Sequence, residues 1–434
     1  MKCYFLIFTS LFLANCSTPT DDSGTGDPDP PVTHSRPNIL LVIADDMGKD
    51  ATPNFTEGSV KPNMPVLESL MQTGVTFNNA WSYSVCTPTR GSILTGKHGI
   101  HTGLLAVGDE ISTSETSLQK YIDNNTNNAY AHAVIGKWHV SASPSSPTDM
   151  GVGYYAGLLT GGVQSYTNWN FTENGSTSNS TEYTTTKFTD LAIDWVDAQT
   201  KPWFLWLAFN APHTPFHLAP TNLHSQGDLP TDAASISANK LPYFMSAIEA
   251  MDSELGRFLA TLSSEERANT LIIFIGDNGT PHAVAQAPYV SNRVKGTIYQ
   301  GGVNMPFVAA GKGVDRIGQT EDALVHTVDL FTTIANAAGI ASTAVHNSAS
   351  FYALLSDVNA PKRDFVYTEL GGDDAGYTIR NETYKLLVYD SGVLEFYNLA
   401  TDAYENTNLI GTSLSTEASA AKAALEAEAE NIRM

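Results

Sequence analysis

The sequence predicts an α/β protein with one large, mixed but mostly parallel sheet between layers of helices, and a small C-terminal subdomain of antiparallel sheet plus helix. Continuous apolar runs alternate with stretches of helical periodicity, which is the pattern of parallel strands covered on both faces. After about residue 362 the apolar and polar residues alternate instead, with turn residues between the runs, as in an antiparallel meander. The length suits one large domain with a smaller appendage.

The elements follow in order along the chain. The predicted strands of the large sheet are 38–44, 75–80, 131–135, 202–209, 271–275 and 305–310, and the predicted helices between them are 64–73, 187–199, 241–262 and 327–338. We predict strands at 377–380, 384–389 and 394–399 in the C-terminal part, and a closing helix over 415–432, which is rich in alanine and glutamate. The predicted boundaries are 37–361 for the large α/β domain and 362–434 for the C-terminal subdomain.

The first sixteen residues have the features of a secretory signal. A positive start is followed by an apolar run from Tyr4 to Leu13 that is too short to span a membrane, and then by Leu13-Ala14-Asn15-Cys16. This end resembles a bacterial lipobox, although Asn15 is not the usual small residue. We therefore expect an exported protein. It would be a lipoprotein anchored at Cys16, in the periplasm or at the outer membrane or cell surface, and otherwise a secreted protein. Residues 17–36 are polar and rich in Gly and Pro, which predicts a flexible tether.

The net charge of -22 argues against a nucleic-acid binder, because phosphate contacts require a basic surface. We interpret the acidity as a contribution to solubility, and it says little about the substrate.

Polar residues follow several of the apolar strands directly. Because the carboxyl ends of parallel strands meet at one edge of a sheet, we expect these residues to form one site. They are Asp45, Asp46, Lys137, His139, His213, Asp277 and Asn278. The carboxylate and amide oxygens among them suit Ca²⁺ or Mg²⁺ rather than zinc. The alternative is that Asp-Asp-Met-Gly and Gly-Asp-Asn-Gly are ordinary turns.

Cys86 is the third of three cysteines, and the other two lie in the first sixteen residues, so it has no disulfide partner in the folded body. It precedes a Pro and Arg90 at what we predict to be a helix N-terminus, an electropositive place that suits an anion. The alternative is a buried cysteine that acts as a small hydrophobic residue.

The run Cys86-Thr87-Pro88-Thr89-Arg90 followed by Gly-Ser-Ile-Leu-Thr-Gly resembles the signature of the type I sulfatases in the alkaline phosphatase superfamily, and the likeness extends from about Arg36 to Leu409. The resemblance implies an alkaline phosphatase-like fold and a sulfuric ester hydrolase. It also implies that a formylglycine-generating enzyme oxidises Cys86 to formylglycine, whose hydrate is the nucleophile. The implied metal is Ca²⁺, with Mg²⁺ as the alternative, held by Asp45, Asp46, Asp277, Asn278 and the modified Cys86.

The same resemblance implies roles for the remaining site residues. Lys137 and Lys295 would bind sulfate, His139 would hold the formylglycine hydroxyl, His213 would protonate the leaving alcohol, and Arg90 would support the nucleophile. Arg293 lies close enough to Lys295 in the sequence to be confused with it. Weaker candidates for substrate contact are His98, His217, His282 and Arg293, and the polar segment 161–186 is expected to form a loop over the pocket.

The sequence thus predicts a sulfatase that acts on a sulfated polysaccharide or oligosaccharide. One alternative is a phosphonate monoester or phosphodiester hydrolase of the same superfamily, which would also use formylglycine. A second is a lipoprotein that binds sulfated glycans without catalysis, which would predict an incomplete set of site residues.

Overall fold

The computed structural model describes residues 36–434. The predicted signal peptide, the lipid anchor at Cys16 and all but the last residue of the predicted tether lie outside the described residues. Within residues 36–434, no helix is both long enough and apolar enough to cross a membrane.

The strands are β1 (Asn38–Ala44), β2 (Gly74–Phe77), β3 (Ala80–Trp81), β4 (Ala131–Lys137), β5 (Tyr154–Leu158), β6 (Trp169–Glu173), β7 (Ser176–Ser180), β8 (Trp203–Ala208), β9 (Thr270–Gly276), β10 (Phe307–Gly311), β11 (Gln319–Glu321), β12 (Val325–His326), β13 (Ala344–Val345), β14 (Ser348–Ala349), β15 (Val366–Leu370), β16 (Gly376–Arg380), β17 (Tyr384–Tyr389) and β18 (Leu394–Asn398). The helices are α1 (Pro65–Thr73), α2 (Cys86–Thr95), α3 (Gly99–Thr102), α4 (Leu118–Thr126), α5 (Ser146–Asp149), α6 (Thr184–Asp197), α7 (Ala233–Ala238), α8 (Leu241–Thr261), α9 (Ser264–Ala268), α10 (Gln300–Val303), α11 (Leu330–Ala337) and α12 (Thr416–Arg433).

The large sheet has ten strands in the order β11-β2-β10-β9-β1-β8-β4-β5-β6-β7. Its central strands β9, β1, β8, β4 and β5 are parallel, whereas β10 and the β6–β7 hairpin run antiparallel to their neighbours. The sheet is therefore mixed and mostly parallel, which confirms the predicted fold class.

Helices cover both faces of the sheet. Alternate residues of each strand point to opposite faces, so each strand contributes to both layers. On β1, Ile39 and Leu41 pack with residues of α2, α4 and α11, whereas Leu40 and Val42 pack with residues of α1, α6 and α8. All residues of β1 are buried, which explains why the strand appears in the sequence as an uninterrupted apolar run.

The C-terminal part forms the predicted antiparallel sheet, with strand order β15-β16-β17-β18 and helix α12 packed against β17. Strand β15 was absent from the prediction. The boundary at 361/362 stays a prediction, and it falls just before this strand.

The segment 161–186 differs from the expected loop. It contains β6 and β7, which add a hairpin to the edge of the large sheet, and it ends in the first turn of α6. The residues of the outer strand, β7, are polar and mostly exposed. This part of the sequence therefore lacks the apolar run that marks the central strands.

Candidate active site

The acidic residues lie at the carboxyl ends of two neighbouring strands. β1 and β9 pair in parallel with Ala44 opposite Gly276, so the residues that follow them emerge side by side. The backbone N–H of Asp46 donates to Asp277 Oδ1 (3.0 Å), and Asn278 Nδ2 donates to Asp46 Oδ1 (2.8 Å). The strand register therefore brings together two motifs that are more than 200 residues apart in the sequence.

This acidic group has the donors that a hard divalent cation needs. Asp45 Oδ1 and Asn278 Oδ1 are buried, and neither accepts a hydrogen bond from any described residue. Ligand atoms of Asp45, Asp277 and Cys86 lie within 4.8 Å of one another. Buried oxygens without hydrogen-bond partners are costly unless a cation or water compensates them, and a donor set dominated by oxygen suits Ca²⁺ or Mg²⁺. The residues present fit the predicted metal.

Cys86 is the first residue of α2 and is buried at this edge. Electropositive surroundings were predicted for Cys86, and the charge of Lys137 does favour the thiolate. Burial has the larger effect, however, and it raises the pKa of the Cys86 thiol to about 12. The unmodified side chain is thus a neutral thiol at physiological pH and a poor nucleophile.

Arg90 connects the elements that surround Cys86. One amino group donates to Asp277 Oδ2 (2.9 Å), and the other donates to the carbonyl oxygen of Lys137 (2.6 Å). Its side chain is buried, so the guanidinium fixes α2 against the ends of β4 and β9. It therefore positions Cys86 relative to the acidic residues.

Two lysines reach the same carboxylates. Lys137 Nζ lies 2.6 Å from Asp45 Oδ2, and Lys295 Nζ lies 2.5 Å from Asp46 Oδ1. Although burial opposes the charge of the Lys137 ammonium, Asp45, Cys86 and Asp277 together outweigh it and raise the pKa of this lysine. Both lysines thus supply fixed positive charge at the edge where Cys86 lies.

The carboxylates influence each other as well. Burial and the charge of Asp45 raise the pKa of Asp277 to about 7. Although burial alone would raise the pKa of Asp45, the charges of Lys137, His213 and Arg90 together hold it below the ordinary value. A bound divalent cation would favour the ionised form of both acids.

His139 lies near Lys137 in a left-handed backbone conformation, with φ of 56°. Burial and the nearby Lys137 lower the pKa of its imidazole to about 2, so the ring is neutral. Its ring packs directly on Gly161, where a Cβ atom would come within 2.7 Å of Cε1 and Nε2. Gly161 begins the segment that was predicted to lie over the pocket, but a contact with His139 was not predicted for it.

His213 faces the site from the loop after β8. A carbonyl only accepts, so His213 Nδ1–H donates to the carbonyl oxygen of Thr214 (2.8 Å), and Nε2 lies 3.7 Å from Asp46 Oδ2. The Tyr166 hydroxyl lies 2.6 Å from the carbonyl oxygen of His213 and 2.9 Å from that of Asn210, which anchors the loop. Nε2 is therefore the nitrogen that can exchange a proton at the site. The anchoring role of Tyr166 was not predicted from the sequence.

The four weaker candidates have other surroundings. His98 is buried, with Nδ1 3.1 Å from the Tyr83 hydroxyl. His217 uses both ring nitrogens, towards the Tyr183 hydroxyl (3.0 Å) and the carbonyl oxygen of Pro215 (3.1 Å). These contacts occupy polar atoms that a substrate would need.

His282 is exposed on the loop after β9. Arg293 is half-buried, lies with its guanidinium carbon 4.4 Å from the centre of the Tyr299 ring, and donates a hydrogen bond to the carbonyl oxygen of Glu405. The ammonium of Lys295, rather than the guanidinium of Arg293, contacts the acidic residues. The substrate roles of all four candidates stay predictions.

Comparison with known proteins identifies the family. A family model described as Sulfatase matches residues 37–340, which is most of the described chain. The chain belongs to the sulfatase family, and this confirms the predicted family and its enzyme class, the sulfuric ester hydrolases.

Relatives with known sequences are distant. The chain is 27% identical over 370 residues to the uncharacterized sulfatase YdeN of Escherichia coli, covering 71% of this chain and 63% of that protein. It is 23% identical over 413 residues to an arylsulfatase of Klebsiella aerogenes, covering 70% and 87%. A sulfatase of Formosa agariphila is 24% identical over 484 residues, covering 88% and 86%.

Two solved structures share the fold. The structure of Ps i-CgsB in complex with k-i-k-neocarrahexaose has a TM-score of 0.78 at 22% identity, covering 92% of this chain and 93% of that one. The structure of BT4656 in complex with D-glucosamine-2-N,6-O-disulfate has a TM-score of 0.76 at 19% identity, covering 92% and 98%. At these identities the likeness concerns the fold.

Proposed function

We propose that this protein hydrolyses sulfate monoesters of a carbohydrate, with Cys86 matured to formylglycine beside a divalent cation. One observation carries the proposal. The sulfur of Cys86 shares a buried site with carboxylate oxygens of Asp45 and Asp277, all within 4.8 Å of one another, at the edge that also carries two lysines.

The site would hold the cation and the formylglycine as follows. Asp45, Asp46, Asp277, Asn278 and the modified side chain of residue 86 would hold the cation, Ca²⁺ or alternatively Mg²⁺, which would supply positive charge for the sulfate oxygens. Oxidation of Cys86 by a formylglycine-generating enzyme would supply, as the hydrate, one hydroxyl to attack sulfur and a second through which sulfate leaves.

The lysines bind the negative charge of the sulfate. Lys137 and Lys295 hold their ammonium groups on two neighbouring acids of the site, Asp45 and Asp46, so a sulfate bound at this edge meets two positive charges. These groups are fixed before the substrate arrives, so they stabilise charge that spreads over the sulfate oxygens without reorganisation.

The histidines move protons. His213 presents Nε2 to the site while Nδ1–H is committed to the carbonyl oxygen of Thr214, so the imidazolium form of the ring would carry its second proton on Nε2 and give it to the leaving alcohol oxygen. His139 has a neutral imidazole, which suits a group that accepts a proton from a hydroxyl at residue 86.

A sulfated carbohydrate is the proposed substrate class. Two of the solved structures with the same fold were determined in complex with k-i-k-neocarrahexaose and with D-glucosamine-2-N,6-O-disulfate, which supports this class without showing it for this chain. The signal-like residues 1–16 support export, with a lipid anchor at Cys16 as the proposed attachment.

The test begins with the protein produced together with a formylglycine-generating enzyme. Conversion of the thiol to the aldehyde lowers the mass of the peptide containing Cys86 by about 18 Da. The matured protein with Ca²⁺ should then release sulfate from members of a panel of sulfated oligosaccharides and leave phosphonate esters and phosphodiesters intact.

The control variants separate catalysis from folding. C86A should abolish sulfate release, and H213A should reduce it strongly, whereas K312Q, which changes an exposed lysine in the turn after β10, should leave it unchanged. A residue 86 that stays a thiol while the same maturation enzyme converts a control peptide would refute the proposal. Faster hydrolysis of phosphonate esters would favour the alternative activity.

A further inference from the structure

A cavity lies at the seam between the loop that carries Lys295 and the C-terminal sheet. Its volume is about 390 Å³. Its polar and aromatic lining includes Asn292, Arg293, Tyr299, Asp374, Tyr389 and Glu395. We refer to it as the seam cavity.

The seam cavity starts close to the residue that carries the nucleophile. Gly296 lines it and donates a backbone hydrogen bond to the carbonyl oxygen of Ser84 (2.9 Å). Ser84 is two residues from Cys86, and two residues of chain span at most about 7 Å. Lys295, which we propose to bind the sulfate, precedes Gly296 directly. A sugar unit joined to the sulfated unit can therefore reach the cavity.

The walls of the seam cavity are held in place. Val85 packs in one hydrophobic cluster with Ile298 and Leu370, which joins the Cys86 turn to the cavity wall. Glu395 Oε2 accepts hydrogen bonds from the hydroxyls of Tyr299 (2.7 Å) and Tyr397 (2.6 Å), so hydrogen bonds already satisfy much of this carboxylate. These contacts fix the shape of the cavity.

Arg293 has unused hydrogen-bonding capacity in this wall. Its guanidinium lies over the Tyr299 ring and uses one amino group for the carbonyl oxygen of Glu405. No carboxylate among residues 36–434 lies within 4 Å of it, unlike the guanidinium of Arg90 in the catalytic site. A stacked guanidinium with an open edge suits the two oxygens of a carboxylate or sulfate.

We propose that the seam cavity binds the sugar unit next to the one that loses its sulfate, and that Arg293 binds an anionic group on that neighbouring unit. The anionic group is a second sulfate ester or a carboxylate, which share the chemistry that Arg293 recognises. This inference rests on the proposed sulfatase function. It assigns to Arg293 the enzyme's preference for substrates that carry a second negative charge on the neighbouring sugar unit.

The test uses three disaccharides with the same hydrolysable sulfate. The neighbouring unit carries no charge in the first, a second sulfate in the second and a carboxylate in the third. The wild-type enzyme should have a higher kcat/KM for at least one charged disaccharide than for the neutral one. R293Q should lose about tenfold or more of kcat/KM on the preferred charged substrate, the scale of a lost charge-assisted hydrogen-bond pair, and at most about twofold on the neutral one.

Two further variants make the result specific. K312Q removes one positive charge from an exposed turn and should change none of the three rates. R293K keeps the charge without the planar fork and should recover part of the preference. Melting temperatures show whether each variant is folded.

Equal losses on all three substrates, or a wild-type enzyme that prefers the neutral disaccharide, would overturn the subsite while leaving the sulfatase function intact. If the matured wild-type enzyme releases no sulfate from the three disaccharides and none from any member of the wider panel, the proposed function fails and the subsite fails with it.

Discussion

Replacing Gly161 with alanine tests whether the position of His139 controls the reaction. A Cβ atom at residue 161 would lie 2.7 Å from two atoms of the His139 ring, whereas ordinary contacts begin at 3.4 Å. The ring must therefore move by about 0.7 Å. His139 is buried and its backbone has a left-handed conformation, so the ring has little freedom to turn aside. Because a misplacement of about 1 Å can cost about a hundredfold in rate, we expect kcat to fall about tenfold.

Gly162 provides a graded control. A Cβ atom there would lie 3.2 Å from His213 Cε1, so G162A requires a shift of only a few tenths of an ångström. We expect this variant to lose less than about threefold in kcat, in proportion to the smaller displacement.

The assay measures release of inorganic sulfate from the best oligosaccharide substrate, with kcat and KM determined separately. The mass of the peptide containing residue 86 shows that each variant is matured, and the melting temperature shows that it is folded. A G161A enzyme that is fully matured and folded and keeps kcat within about twofold of the wild-type value would refute the argument from ring position. Equal losses in G161A and G162A would also contradict it.

Two further predictions concern cation binding and pH. Addition of Ca²⁺ to protein treated with EDTA, at about 100 times the dissociation constant, should stabilise the fold by about 2.7 kcal/mol, which for about 400 residues raises Tm by about 3 °C. D277N should remove most of this shift and D228N, at an exposed position, should not; a shift that survives in D277N would place the cation elsewhere. Burial lowers the pKa of His98 to about 3 and that of His326 well below its ordinary value. The unfolded chain therefore binds more protons below about pH 6.5, and the unfolding free energy should fall by up to about 1.4 kcal/mol per pH unit for each ring as the pH drops towards 3. Urea unfolding at pH 7.5, 6 and 5 measures this slope, and a flat profile would contradict the buried, neutral state of both rings.

Local pattern was enough to predict the fold class. Strand β1 matches its predicted bounds, because a central parallel strand is buried on both faces and therefore has an uninterrupted apolar sequence. The β6–β7 hairpin was missed because it lies at the sheet edge and its residues are largely polar. A polar edge strand has the composition of a loop, and only its pairing distinguishes the two.

The residue types of the site were also visible in the sequence. Each strand-end motif could be assigned to one edge of the sheet because parallel strands place their carboxyl ends together. The resemblance to the sulfatases around Cys86 supplied the roles, and family membership is confirmed by the match over residues 37–340. The individual roles stay predictions.

The sequence by itself determined which chemical groups are present and that a parallel sheet would gather them. The tertiary structure decided how those groups affect one another. It buries Cys86 so that its thiol is neutral, and it packs Gly161 against His139. It also forms the seam cavity from Arg293 and the C-terminal sheet, more than 70 residues apart. These properties depend on burial and on contacts between distant segments. A local stretch of sequence has neither, because solvent exclusion and close packing exist only once the whole chain has folded.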